Sequence, residues 1–192
     1  MNHSFHPTVL REYDIRGIIG ETLGADDARA IGRSFATLLR RAGGSRVAVG
    51  YDGRVSSPML EHALVEGLTA SGCDVVRIGL GPTPMLYYAE ASAEDVHGGI
   101  QITGSHNPPN YNGFKMVFQG RPFFGADIQT LGRMAAEGDW DSGTGQVEDR
   151  TVLDAYVERM LEPLAGLAPA SLASLRIGWD AGNGAAGPAL EL

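Results

Sequence analysis

At 192 residues and 43% hydrophobic content, the chain can bury the core of one full domain and part of a second. Its formal net charge of −8 argues against nucleic-acid binding, so an anionic ligand would need a local cluster of cations. No apolar run reaches the roughly 18 residues of a membrane span, and Cys73 has no partner for an internal disulfide. We therefore expect a cytoplasmic protein that binds neither nucleic acid nor membrane.

Predicted strands and helices alternate from the start of the chain. Val9 to Gly20 is branched and charged, as in a strand that leads into a glycine turn. Residues 26–42 carry apolar side chains at helical spacing, and residues 46–52 predict a buried strand. A helix capped by Ser56 or Ser57 should follow that strand.

The alternation continues through the middle of the chain. Residues 74–79 predict a strand, followed by a short helix near residues 85–91. Residues 98–103 and 113–118 predict two further strands, and residues 125–138 predict another helix. A regular succession of strands and helices is typical of a sheet covered by helices on both faces.

The pattern changes near residue 138. Residues 138–150 are polar and glycine-rich, which indicates a boundary or a surface excursion, and a helix is expected over residues 152–164. Residues 175–180, "LRIGWD", then predict a strand, with a glycine turn that opens a new helix.

These elements predict an α/β protein. We expect a three-layer αβα domain with a mixed sheet over residues 1–150. Residues 151–192 should form a linker helix and the first βα unit of a second, similar domain. Because that unit has no further strands to pair with in this sequence, we expect the chain to be the N-terminal part of a longer protein.

Ser105 lies in the loop between two predicted strands, in the sequence "TGSHNPPNYNGFK". Gly104 should let the backbone turn sharply and leave room for the hydroxyl, while Pro108 and Pro109 should stiffen the exit. Most serines in such loops are ordinary polar turn residues. Here the donors of His106 and Asn107 stand beside the hydroxyl, which favours a chemical role at the end of a strand.

Lys115 supplies a separate clue downstream of the serine. It is the single lysine among 15 basic residues, and all the others are arginines. A compact ammonium on a flexible stem differs from a planar guanidinium in how it meets phosphate or exchanges a proton. The use of lysine at this position therefore indicates a task that arginine does not perform.

The serine loop resembles the phosphoserine loop of the α-D-phosphohexomutases, especially their bacterial phosphomannomutase/phosphoglucomutase branch. The segments "EYDIRG" at residues 12–17 and "GYDGRVSSP" at residues 50–58 resemble the same family. The resemblance implies that Ser105 carries a phosphoryl group and passes it to a sugar. It further implies that Tyr13 and Arg16 face the active site, with Arg16 holding phosphate.

The resemblance also implies a function and a set of site residues. The expected reaction is phosphoryl transfer between the 1- and 6-positions of a hexose, through a bound hexose 1,6-bisphosphate. The residues expected to be catalytic are Ser105, Lys115, His106 and Arg16, and those expected to bind phosphate are Tyr13, Arg16, Asn107 and Lys115. Asp52 and Arg54 of "GYDGRVSSP" are expected to support the serine loop.

The cofactor and partners follow from the same resemblance. Mg²⁺ is expected, with the phosphate on Ser105 as one ligand and an aspartate-rich loop, which does not occur in this sequence, as the others. The partners are a mannose or glucose phosphate and the remaining domains of the full-length protein, and the chain alone is expected to be inactive. Which hexose phosphate is preferred stays open.

Two other functions compete with the mutase. A serine hydrolase could use Ser105 and His106, but neighbouring loop residues seldom aim at each other, and the Gly-x-Ser-x-Gly elbow is absent because position 107 is Asn. A non-catalytic module that binds phosphosugars or a partner protein is the second alternative.

Overall fold

The computed structural model describes residues 2–192. In that range the strands are β1 (Ile15–Ile18), β2 (Arg46–Tyr51), β3 (Asp74–Leu80), β4 (Gly98–Ile102), β5 (Tyr111–Phe118), β6 (Arg121–Pro122) and β7 (Val147–Asp149). The helices are α1 (Ala25–Arg41), α2 (Ser57–Ala70), α3 (Thr83–Ser92), α4 (Ala126–Glu137), α5 (Leu153–Leu161), α6 (Pro169–Ala173) and α7 (Gly187–Glu191). Of the described helices, none combines the length and apolar character needed to cross a membrane.

The strands form one mixed sheet in the order β1-β5-β4-β2-β3-β7, with the short β6 paired to β5. Strands β4, β2, β3 and β7 run parallel to one another. Strand β5 is antiparallel to both β4 and β1. Strands β1 and β4 therefore point in the same direction on either side of β5.

Helices cover both faces of this sheet. Val47 and Val49 of β2 belong to the larger core, which also contains buried residues of α1, α2 and α4. Ala48, between them, belongs to a smaller core with residues of α3 and with Tyr156 of α5. This alternation is what a strand produces when it is buried on both faces. The predicted three-layer αβα fold with a mixed sheet is confirmed.

The first predicted strand is shorter than expected. Regular pairing begins only at Ile15, and the preceding residues fold back in a tight turn. In this turn Leu10 forms a bridge with Ile15, and the Arg11 amide donates a hydrogen bond to the Asp14 carbonyl at 3.1 Å. The turn sets Tyr13 and Asp14 at the entrance to β1.

The second half of the chain differs from expectation in two places. Residues 138–150 are not only a polar excursion, because Val147–Asp149 forms an edge strand parallel to β3. Residues 175–180 do not form the predicted strand. A strand needs a neighbour for its backbone hydrogen bonds. No described strand pairs with this segment, whose Ile177 and Trp179 side chains are exposed.

Helices α1 and α2 approach closely because a glycine on each faces the backbone of the other. A Cβ atom added to Gly32 of α1 would lie 2.4 Å from the carbonyl oxygen of Leu64. A Cβ atom added to Gly67 of α2 would lie 2.2 Å from the carbonyl oxygen of Arg29. The spacing of these helices, and hence the position of the start of α2, depends on the missing side chains.

Gly67→Ala should destabilise the chain because its methyl group would collide with a rigid helix backbone. Overpacking costs up to about 3 kcal/mol, whereas alanine gains about 1 kcal/mol over glycine inside a helix. We therefore expect a net loss of about 1–2 kcal/mol in the free energy of unfolding, measured by urea denaturation.

Gly99→Ala is the matched control for that measurement. A Cβ atom at this buried glycine would meet only side-chain atoms, the nearest being Leu86 Cγ at 3.4 Å. It should therefore cost less than Gly67→Ala. A Gly67→Ala chain as stable as wild type would contradict the close approach of α1 and α2.

Candidate active site

The serine loop connects the end of β4 to the start of β5 and presents Ser105 to solvent. Ser105 has φ of +52°, in the left-handed region that non-glycine residues rarely occupy. Its amide donates a hydrogen bond to Thr103 Oγ1 at 2.8 Å. Backbone strain of this kind costs about 1–3 kcal/mol and persists only where the surroundings impose it. The strained residue is the serine itself and not Gly104.

Asp52, at the end of β2, imposes the first part of this conformation. Its Oδ2 accepts hydrogen bonds from the Thr103 hydroxyl at 2.9 Å and from the Gly104 amide at 3.1 Å. Its Oδ1 accepts from the Ser57 hydroxyl at 2.7 Å and from the Arg54 amide at 3.1 Å. The carboxylate thus joins the end of β4, the loop after β2 and the start of α2.

Arg54 holds the rest of the loop. Its guanidinium donates hydrogen bonds to four backbone carbonyls, those of Ser105 (3.0 Å), Asn107 (2.7 Å), Pro108 (2.7 Å) and Tyr111 (2.9 Å). Only a planar fork of N–H groups can reach several acceptors in this way. The predicted supporting role of Arg54 thus has a definite geometry.

The structure adds a second reason for Gly104 beside the one expected from the sequence. A Cβ atom at this position would lie 2.2 Å from the Arg54 guanidinium. The missing side chain therefore makes room for the arginine that holds the loop.

Two cations of the site meet at the carboxylate of Asp14. Arg16 NH2 lies 2.5 Å from Asp14 Oδ2, and Lys115 Nζ lies 3.5 Å from the same oxygen. Arg16 also donates through NH1 to the carbonyl of Gly104 at 3.3 Å, which joins it to the serine loop. The Nε atom of Arg16 is buried and has no hydrogen-bond partner among the described residues.

The other predicted site residues lie in different settings. His106 places Nδ1 3.3 Å from Ser105 Oγ, so these neighbours do approach each other, contrary to the sequence expectation. Asn107 uses its side-chain amide within the loop, donating to the Gly104 carbonyl at 3.2 Å. Tyr13 is 75% exposed, and its ring stacks beside Phe124 at 6.3 Å between centroids.

A hydrolytic dyad is poorly supported by the contacts of His106. A catalytic base is normally oriented by a third group bonded to its other nitrogen. In residues 2–192 the hydrogen bond to Ser105 is the one described for the His106 side chain.

The only cysteine is also unsuited to nucleophilic attack, because burial raises the pKa of the Cys73 thiol to about 12.

A cleft of about 930 Å³ opens beside the serine loop. Its walls come from the loop after β2, the serine loop and the segment before α7, and they include Asp52, Arg54, Val55, Ser56, Met59, Ser105, Asn107, Asn110 and Asn183. Neither Arg16 nor Lys115 lines this cleft. The place where the cations converge is therefore distinct from this cleft.

Two residues of the site were not assigned a role from the sequence. Asp14 stands inside the quoted segment "EYDIRG", two positions before Arg16, so both side chains belong to one side of an extended segment. Asn112 is fully buried and donates through Nδ2 to the hydroxyls of Ser56 and Ser57, both at 2.9 Å. No local sequence pattern signals Asn112, because its partners are more than fifty residues away.

Arg54→Lys should loosen the serine loop without unfolding the domain. An ammonium has three protons on one nitrogen and cannot reach four carbonyls spread around a planar fork. We expect amide hydrogen exchange within residues 104–111 to accelerate at least about tenfold, since hydrogen bonds from a charged donor contribute about 1.5–3 kcal/mol. Arg29→Lys, at an exposed ion pair with Glu66, is the control and should leave this exchange unchanged. Unaltered exchange in Arg54→Lys would contradict the role assigned to the fork.

Comparisons with known proteins bear on the family to which the chain belongs. The family model described as phosphoglucomutase/phosphomannomutase, alpha/beta/alpha domain I, matches residues 7–141. A phosphomannomutase/phosphoglucomutase of Pseudomonas aeruginosa is 41% identical over 180 residues, covering 94% of this chain and 38% of the relative. A phosphoglucomutase of Neisseria gonorrhoeae is 39% identical over 181 residues, covering 93% of this chain and 38% of the relative.

Solved structures give the same result. A phosphoglucomutase/phosphomannomutase family protein of Burkholderia thailandensis superposes with a TM-score of 0.84 at 40% identity, covering 97% of this chain and 41% of that one. A phosphomannomutase-like structure from Thermus thermophilus gives a TM-score of 0.74 at 26% identity, covering 92% of this chain and 39% of that one. The chain thus spans about two fifths of the length of the proteins it matches. It belongs to the phosphoglucomutase/phosphomannomutase family.

Proposed function

We propose that the chain is the serine-bearing part of a phosphohexose mutase of the phosphomannomutase/phosphoglucomutase type. The observation that carries this proposal is the exposed, strained Ser105 held by Asp52 and Arg54 beside the buried cation Arg16. The names of the relatives support the same activity. Because the chain spans 38% of those relatives, the activity is proposed for the full-length protein.

The proposed reaction begins with a phosphoryl group on Ser105. A hydroxyl of the hexose phosphate attacks the phosphorus, the bond to Ser105 Oγ breaks, and the hydroxyl proton ends on Ser105 Oγ. The resulting hexose 1,6-bisphosphate reorients within the site. It returns its other phosphoryl group to Ser105 by the reverse exchange of bond and proton, which leaves the isomeric hexose phosphate.

The side chains around Ser105 suit this transfer. A serine phosphate carries about −1.5 to −2 charges at neutral pH, and phosphoryl transfer depends mainly on positioning and charge neutralisation. Arg16 and Lys115 would supply the positive charge, and His106 would donate to the phosphoryl oxygens from its place beside Ser105 Oγ. Tyr13 and Asn107 remain proposed contacts of the substrate phosphate.

Mg²⁺ is part of the proposal, with one ligand from the phosphate on Ser105. Bound there, the ion would withdraw charge from the phosphoryl oxygens. Residues 2–192 contain no cluster of three or more His, Cys, Asp and Glu side chains that could hold a metal. Asp52, the carboxylate bonded to the serine loop, already has both oxygens occupied by donors. The other ligands would therefore come from outside the described residues.

The domain division and the location stay predictions within this proposal. Residues 1–150 would be the first domain, and residues 151–192 a linker helix and the start of the second. The packing of Tyr156 of α5 beside Tyr88 of α3 supports a helix that docks on the first domain. A cytoplasmic location is in keeping with the single thiol.

Ser105 should be the phosphorylated residue of the full-length protein. Peptide mapping after purification with Mg²⁺ should find phosphate on Ser105, and Ser105→Ala should abolish both the phosphate and mutase turnover. Stoichiometric phosphate on Ser56 or Ser57, with none on Ser105, would contradict the assignment. Normal turnover by Ser105→Ala would favour a non-catalytic role for this domain.

Lys115→Arg should impair turnover while preserving the fold. Arginine keeps the charge but is bulkier and does not release a proton near neutral pH. Loss of one transition-state contact of this kind costs on the order of 10²–10³ in kcat. Arg133→Lys, at an exposed position on α4, is the reciprocal control and should retain activity. A near wild-type kcat in Lys115→Arg would show that arginine serves equally well at this position and would contradict the role proposed for Lys115.

A further inference from the structure

One carboxylate oxygen serves two cations beside the serine loop. Asp14 Oδ2 lies 2.5 Å from Arg16 NH2 and 3.5 Å from Lys115 Nζ, and the Asp14 side chain is only 12% exposed. Strand register explains the meeting, because Ile15 pairs with Phe114 between β1 and β5. Continued by one position, the register sets Asp14 opposite Lys115, as a cross-strand pair of opposite charge.

The two cations are held unequally. The Arg16 side chain is 7% exposed, makes the shorter contact to Asp14 and is also bonded to the Gly104 carbonyl. The Lys115 side chain is 30% exposed, and its single described contact is the longer one to Asp14. Arg16 is therefore fixed in place, whereas Lys115 can exchange its partner at small cost.

The net charge of Asp14, Arg16 and Lys115 determines how strongly they attract a phosphate. Two cations and one carboxylate leave a net charge of +1 next to a serine whose phosphate would carry about −1.5 to −2. A phosphoryl group that reaches Lys115 must compete with the Asp14 carboxylate for its ammonium. A mobile ammonium on a four-carbon stem suits such an exchange better than a rigid guanidinium.

We propose that Asp14 is a positioning residue for the phosphate-binding cations. It orients the Arg16 fork against the serine loop and holds Lys115 beside it until a phosphoryl group takes the lysine. This role rests on the proposed function in one respect, namely that the phosphoryl group belongs to Ser105 or to a sugar phosphate. The Asp14 carboxylate weakens the binding of phosphate in the ground state, because it competes for the two cations. In return it holds the Lys115 ammonium in a defined position before the phosphoryl group arrives.

Asp14→Asn in the full-length protein separates these two effects, because it removes the charge and keeps the shape. In a Ser105→Ala background, where no serine phosphate occupies the cations, we expect inorganic phosphate to bind at least about threefold more tightly, measured by isothermal titration calorimetry. In the protein with Ser105 intact, we expect KM for glucose 1-phosphate to fall together with kcat, the latter at least about tenfold. A merely structural role would lower kcat through a smaller folded fraction and leave KM and phosphate affinity unchanged.

Asp95→Asn is the matched control. Asp95 also bridges two cations, Arg46 and Arg150. It precedes β4, whereas Ser105 follows it, so the two residues lie at opposite ends of that strand. It makes the same change in net charge and should alter neither phosphate affinity nor kcat. An equal gain in phosphate affinity in both variants would reduce the effect to net charge and overturn the proposal.

Several further outcomes bear on the proposal. Unchanged or weaker phosphate binding in Asp14→Asn, or tighter binding with unchanged kcat, would overturn it. If Asp14→Asn does not fold, Asp14→Glu keeps the charge and displaces it by one methylene group, so kcat should fall while phosphate affinity stays at the wild-type value; an unchanged kcat there would overturn the proposal. Absence of mutase activity in the wild-type protein would refute the proposed function, whereas the calorimetric comparison would still test Asp14.

Discussion

The carboxylate of Asp52 is the interaction on which the geometry of the site depends. Four donors from three segments converge on its two oxygens. Hydrogen bonds to a charged group contribute about 1.5–3 kcal/mol each, so four of them together contribute at least about 6 kcal/mol. This exceeds the roughly 1–3 kcal/mol of strain at a left-handed serine. The unfavourable conformation of Ser105 is thus sustained by interactions made by its neighbours.

Sheet topology decides which cations reach the serine. Because β1 and β4 flank β5 and point in the same direction, the loop after β4 and the residues along β1 meet over the same part of β5. Arg16 pairs in register with Gly113, where a Cβ atom would lie 2.2 Å from the Ile15 carbonyl oxygen. The absence of a side chain there allows β1 and β5 to pair closely. The close pairing in turn brings Asp14 and Lys115 together.

Local sequence patterns predicted the parts of the structure that depend on local chemistry. The alternation of apolar segments predicted the three layers, and the loop around Ser105 predicted an exposed hydroxyl. Strand register has no local signature, so the meeting of Asp14 with Lys115 could not be predicted. The strand over residues 175–180 was predicted from its apolar side chains, but strands also need a neighbour for their backbone hydrogen bonds. The edge strand Val147–Asp149 was missed because it is short, charged and exposed.

The site combines a rigidly held serine with a movable cation. The serine loop is held through its backbone carbonyls by Arg54. Lys115, by contrast, has one long contact and a partly exposed side chain. In the proposed reaction a phosphoryl group leaves and returns at the same serine, while the charge around it changes each time. A fixed serine keeps the line of attack constant, since displacement of a reacting atom by about 1 Å can cost on the order of 10²-fold in rate. Lys115 can exchange the Asp14 carboxylate for a phosphate. Its positive charge can therefore move towards the phosphoryl group while the serine loop stays in place.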